Sequence, residues 1–128
     1  MPPCSQRMMS GKIRCAHLLC KHAKSRNPES RRTGESTKEI PVEDAHKELQ
    51  KFIDEFKGLE GQKLVDAFCA AAQKRSDCGS YKSGGDLGNF TRGMMQKAFE
   101  DAAFALEVGQ MSGIVDSDSG SHLILRIA

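Results

Sequence analysis

The chain has 128 residues, room for one compact domain of the usual size of about 100 to 150 residues. Its composition, 38% hydrophobic and 28% charged, is that of a small globule, and its apolar runs fall short of the ~20 residues a bilayer span needs, so no membrane partner is expected. The net charge of +2 is unevenly spread: residues 1–40 hold nine Lys or Arg against three acidic residues, and residues 41–128 hold ten against fourteen. Such a local excess points to a small anion site, whereas duplex binding needs a basic face across the domain, so no nucleic-acid partner is expected.

Residues 1–11 are polar, carry Pro2, Pro3 and Arg7, and lack the apolar centre of a secretory signal, which suggests a flexible tail ahead of a domain at 12–128. The five cysteines, Cys4, Cys15, Cys20, Cys69 and Cys78, are odd in number and without framework spacing, so free thiols in a reducing compartment are expected.

Lys12 to Lys21 (KIRCAHLLCK) is short, apolar and free of Gly and Pro, the pattern of a central strand. About twenty polar residues follow, 21–40, broken by Pro28 and Gly34 and basic at Lys21, Lys24, Arg26, Arg31 and Arg32; a loop of that length in a small domain is usually functional or disordered. From Pro41 to Lys57, Val42, Ala45, Leu49, Phe52, Ile53 and Phe56 recur at helical steps, with Gly58 as the stop. A second helix is predicted over 62–75, with Leu64, Val65, Phe68, Cys69 and Ala72 inward. Glycines at 79, 84, 85 and 88 leave 86–90 as a short strand at most. A third helix is predicted over 95–106, followed by extended pieces at 111–115 and 122–127 around a turn at 116–120. This order predicts an α+β fold with a small mixed sheet faced by helices.

Several patterns suggest chemistry. Cys15, His17, Cys20 and His22 have the look of a metal knuckle, but alternation along a strand sends the first two to one face and the last two to the other, so no metal site is expected. Cys20 to Arg26 has the Cys-x5-Arg spacing of a phosphatase loop, yet lacks a glycine to turn backbone amides inward. Lys21, Lys24 and Arg26 read either as a cradle for a doubly charged phosphate or as a solvated charge run. GGDLGNF at 84–90 matches neither common nucleotide loop, and no cofactor is expected. The Asn89-Phe90-Thr91 sequon is read as a chance match in a chain without a signal. Leu87, Phe90, Met95 and Phe99 form either core or a ligand pocket. Cys78, beside Gly79, sits where an exposed thiol is expected, and His17 and His122 lie on two strands that read as neighbours.

Three ordered segments, RCAHLLCKHAKSRNP, SDC followed by GGDLGNFTRGMMQKAFEDAAFAL, and GQMSGIVDSDSGSHLILRIA, resemble the parvulin peptidyl-prolyl cis/trans isomerases of the phosphorylation-directed Pin1 type, over about residues 12–128. The resemblance implies a parvulin-like (FKBP-like) fold, a four-stranded mixed β-sheet surrounded by four helices, in a monomer that isomerises phospho-Ser/Thr-Pro bonds in phosphorylated proteins or peptides. A non-catalytic phosphopeptide-binding module is the alternative. It further implies Cys78, His17, His122 and Ser119 as the catalytic set, and Leu87, Met95 and Phe99 as the proline pocket with Gln96 and Phe90 at its edge. Lys21 and Arg26 are implied as the phosphate-binding pair within a basic loop over 21–40, and a cytoplasmic or nuclear location is implied. Asn27 stands where Pin1-type members commonly place a second arginine, and an amide lacks its charge, so phosphate affinity is expected to depend on Lys24, Arg31 or Arg32. With no tryptophan and about eleven residues ahead of the domain, substrate is expected to bind through that domain alone.

Overall fold

The computed structural model describes residues 12–128, so the tail expected at 1–11 lies outside the described residues. Its elements in chain order are β1 (Ile13–Cys20), α1 (Val42–Phe56), α2 (Gly61–Arg75), a 3-10 helix (Gly79–Ser83), β2 (Asp86–Phe90), α3 (Lys97–Ala105), β3 (Val115–Ser117) and β4 (Gly120–Arg126). The four strands form one sheet in the order β2-β1-β4-β3.

The α+β architecture is the expected one, with three corrections. The sheet is antiparallel at every pairing and not mixed. Strand direction is invisible to periodicity, and β3 runs into β4 through a two-residue turn, Ser117 pairing with Gly120, which admits only an antiparallel neighbour. The helices among the described residues are three α-helices and a 3-10 helix, in place of four helices. The segment GSYKS is too short and polar to bury a stripe; it closes as tight turns, Tyr81 N–H to the Cys78 carbonyl and Gly84 N–H to the Tyr81 carbonyl. The piece expected at 111–115 becomes one bridge, Met111 to Leu125, and the start of β3 at Val115, and the turn expected at 116–120 narrows to Asp118 and Ser119.

β1 occupies the middle of the sheet, and all but Arg14 of its residues are buried, as expected of a strand covered on both faces. Ala16, Leu18 and Cys20 point one way with Leu123 and Leu125, against Ala45, Leu49 and Phe56 of α1 and Leu64 and Phe68 of α2. Ile13 and Cys15 point the other way with Ile124, against Phe90 and the α3 residues Phe99 and Ala103. Pleating therefore divides one eight-residue strand between two cores. The second face also carries His17, opposite Ile124, and Leu19, opposite His122.

The inward stripe of α2 is narrower than predicted: Leu64, Phe68 and Ala72 are buried, while Val65 and Cys69 are half-exposed. α3 starts later than predicted, at Lys97, because Gln96 is extended and its side chain is engaged elsewhere. Gly85, at φ +83, is required at its position: a Cβ there would lie 2.2 Å from the His17 carbonyl oxygen, and the Gly85 carbonyl accepts the His17 N–H at 2.9 Å.

Candidate active site

The second face of the sheet opens at one end into a groove of about 560 Å³, lined by Leu19, Lys21, Arg26, Asn27, Arg31, Cys78, Gly79, Ser80 and Ser119. The sequence brings these together from four places: the end of β1, the basic loop, the segment after α2 and the β3–β4 turn.

His17 and His122 are diagonal neighbours across β1 and β4, and their Nδ1 atoms meet at 3.0 Å in the interior. Their rings stack, and the Phe99 ring stands edge-on to both, with centroids 5.6 Å from His17 and 5.2 Å from His122. Burial, reinforced by the charge of His17, pushes the His122 imidazole down to about 3, so it is neutral throughout the physiological range. Its Nε2 lies 2.6 Å from the Ser117 hydroxyl, which also accepts the Ser119 N–H at 3.2 Å.

The Cys78 thiol is half-buried. Burial alone pushes its pKa up, but a hydrogen bond and charge from His17, then hydrogen bonds from Ser80, bring it down to about 6. His17 Nε2 and the Ser80 hydroxyl are buried without a hydrogen-bond partner. His17 and Ser80 thus shift Cys78 toward the thiolate. Cys20 is the opposite case: fully buried between the sheet and α1–α2, it is pushed up to about 12, chiefly by desolvation. That removes the nucleophile the Cys-x5-Arg spacing would require. Cys15 and Cys20 also lie in separate cores on opposite faces, so the knuckle residues do not converge.

The cationic wall is built on Lys21, which is 6% exposed; its backbone N–H bonds Asp77 Oδ2 at 2.9 Å and its Nζ donates to the Glu29 carbonyl at 2.7 Å. Burial and then the charge of Arg31 lower its pKa. Arg26 and Asn27 are exposed at the rim, and the Arg26 N–H donates to the Asp118 carbonyl at 2.6 Å. The same turn bonds Gln96, whose Nε2 donates to Ser119 Oγ and whose Oε1 accepts the Asp118 N–H, both at 2.8 Å. Through Asp118 and Ser119, the basic loop is connected to the segment carrying Met95, Gln96 and Phe99.

Leu87 and Met95 are half-buried and pack on the cluster that contains Phe90 and Phe99. The expectation for Phe90 needs correction: at 1% exposed, with its ring 6.1 Å from that of Phe99, it is buried inside this cluster and forms no edge, and the groove lining includes none of Leu87, Phe90, Met95, Gln96 and Phe99. Phe90 ends β2 on the inward phase of the pleat, a register that alternation over so short a strand does not fix. Residues that sequence reasoning missed are the supports. Ser76 and Asp77 are buried; Ser76 Oγ accepts the Leu19 N–H, and Asp77 holds the backbones of Leu19, Lys21 and Arg31. Polar residues directly after an amphipathic helix were the available signal.

A family model described as a rotamase, PPIC-type PPIase domain, matches residues 17–128. The chain is 49% identical over 116 residues to the peptidyl-prolyl cis-trans isomerase ESS1 of Saccharomyces cerevisiae, covering 91% of this chain and 65% of that protein. It is 44% identical to the peptidyl-prolyl cis-trans isomerase Pin1 of Digitalis lanata, covering 93% of this chain and 98% of that one. It thus spans about two thirds of the yeast relative and nearly all of the plant one. Its fold is similar to the solution structure of TbPIN1 (TM-score 0.80, 55% identity, 94% of this chain and 100% of that one). It is also similar to the peptidyl-prolyl isomerase ESS1 from Candida albicans (TM-score 0.83, 34% identity, 93% and 64%). The segments that carry the groove, the paired histidines and the apolar cluster fall almost wholly within the matched residues, and the chain belongs to the PPIC-type, or parvulin, peptidyl-prolyl cis-trans isomerases.

Proposed function

We propose that this domain accelerates cis/trans isomerisation of the bond preceding proline in segments where phosphoserine or phosphothreonine comes directly before that proline. The observation that carries the reading is the adjacency of a cationic groove, lined by Lys21, Arg26 and Arg31, to an apolar cluster around Phe99 through the Ser119–Gln96 bond.

Rotation about an X-Pro amide faces a barrier of roughly 20 kcal/mol from C–N double-bond character. No bond has to break; the catalyst must bind the twisted amide better than either planar form. In this reading Leu87, Met95 and Phe99 seat the prolyl ring, Gln96 lies at the edge of that seat, and Phe90 supports it from below. Lys21 and Arg26 hold the phosphate, with Asn27 at the rim, so that both sides of the amide are fixed and rotation concentrates between them. The Cys78 thiolate acts by its charge: a negative sulfur near the carbonyl disfavours the resonance form that places negative charge on oxygen, which weakens the C–N double bond. His17 holds that charge in place, while neutral His122 and Ser119 maintain the polar network of the sheet and the turn.

The test is NMR exchange spectroscopy on a phospho-Thr-Pro peptide with inorganic phosphate followed in the same tube. Cis/trans exchange cross-peaks at catalytic enzyme concentration without phosphate release are expected. Binding without exchange would replace the proposal with a phosphopeptide reader, and phosphate release would overturn it.

A further inference from the structure

Asn27 leaves the basic loop one charge short of the arrangement expected from the resemblance, and three residues stand near enough in sequence to supply it: Lys24, Arg31 and Arg32. Of these only Arg31 lines the groove. Arg32 lies instead along a separate small cavity with Thr37, Arg75 and Asp77.

The position of Arg31 is fixed by the backbone. Ser30 is buried, and its Oγ accepts the N–H groups of Arg32 and Thr33 while its carbonyl accepts the Gly34 N–H, which closes a tight turn. At the head of that turn the Arg31 N–H donates to the Asp77 carbonyl at 2.9 Å, next to Cys78. Arg26 is tied to the β3–β4 turn by its N–H bond to the Asp118 carbonyl. Two guanidinium-bearing residues anchored on different segments therefore line one groove together with the buried Lys21. Among the described residues, neither Arg26 nor Arg31 forms an ion pair, although most other arginines do. Arg31 also lowers the pKa of Lys21 by like-charge repulsion, a cost that a dianion in the groove would turn into attraction.

We propose that Arg31 is a specificity-determining residue, the third cation of the phosphate clamp, which supplies from the Asp77 anchor the charge that Asn27 lacks. The inference rests on the phospho-Ser/Thr-Pro reading above. A planar, always-charged fork anchored on a different segment from Arg26 adds a second bidentate donor to the same groove.

The experiment measures kcat/KM for a phospho-Ser-Pro peptide and its unphosphorylated twin with four proteins: wild type, Arg31→Ala, Asn27→Arg, and the two substitutions combined. Arg31→Ala should lower the ratio of phosphorylated to unphosphorylated turnover by about tenfold, the usual worth of one hydrogen-bonded charge. Asn27→Arg should restore most of that ratio in the Arg31→Ala protein and add at most about threefold to wild type, since the clamp there is already complete. Wild-type preference that survives Arg31→Ala unchanged overturns the role of Arg31 alone, as does failure of Asn27→Arg to rescue it. A wild-type protein that turns over both peptides equally overturns the phosphate reading itself. Arg31→Lys keeps the charge without the fork and should fall between wild type and alanine.

Discussion

The two faces of β1 receive the same chain but meet different surroundings. On one, Ala16, Leu18 and Cys20 are sealed under α1 and α2, and Cys20 is raised to about 12 chiefly by burial, with nearby charges of both signs acting on it. On the other, the sheet carries His17 and His122 and ends at an open groove, where Cys78 is lowered to about 6 although burial opposes it. Burial by itself makes a thiol inert. Burial beside an imidazole and an unpartnered hydroxyl makes it a thiolate. The difference between core and site lies in the polar atoms the fold leaves unpaired around a sulfur, more than in exposure.

The sharpest way to break this contrast is alkylation by iodoacetamide across pH, read by mass spectrometry. Cys78 should react with a midpoint near 6 while Cys20 and Cys15, the latter raised to about 11, stay unmodified in the folded protein. The sign is fixed by the thiolate being the reactive form: the rate falls as pH drops through 6, and His17→Asn should move the midpoint up toward the ordinary thiol value of about 8.5. A midpoint that stays near 6 in that variant would separate the thiolate from the histidine pair.

A second test takes the sealed face. Leu49→Ala, at a site with no exposure, should cost about 2 to 5 kcal/mol in urea unfolding while kcat/KM per folded molecule stays close to wild type. Comparable losses in turnover would mean that the two faces are mechanically coupled. A third test separates charge from covalent chemistry at the site. Cys78→Asp should keep kcat within about tenfold of wild type, while Cys78→Ala should lose about a hundredfold. Near-total loss with aspartate would show that sulfur acts as a nucleophile. Because a carboxylate ionises lower than this thiol, the acid limb of the pH profile should also shift below 6 in the aspartate variant.

Much of this was readable in the sequence, for identifiable reasons. β1 announces itself as a short apolar run free of Gly and Pro and α1 by its helical period, and the split of Cys15 from Cys20 follows from the alternation of side chains along a strand. The β3–β4 hairpin was blurred because VDSDSG offers turn residues throughout, so only the pairing of Ser117 with Gly120 shows where the chain reverses. The site residues Lys21, Arg26, Cys78 and Ser119 were identified by resemblance, and they converge on one groove. Phe90 was misplaced, since an apolar pocket edge and a buried core position have the same composition. Asp77 and Arg31 were invisible as structural partners because a backbone hydrogen bond across 46 residues leaves no trace in spacing.

In the proposed function a cationic groove and an apolar seat act on one substrate. The most direct measurement is the kcat/KM of Lys21→Ala/Arg26→Ala on phospho-Ser-Pro, Glu-Pro and unphosphorylated peptides. Loss of two charge-assisted contacts should cut the preference for the phosphorylated peptide by about a hundredfold or more. Equal losses on all three peptides, with the preference intact, would contradict the account.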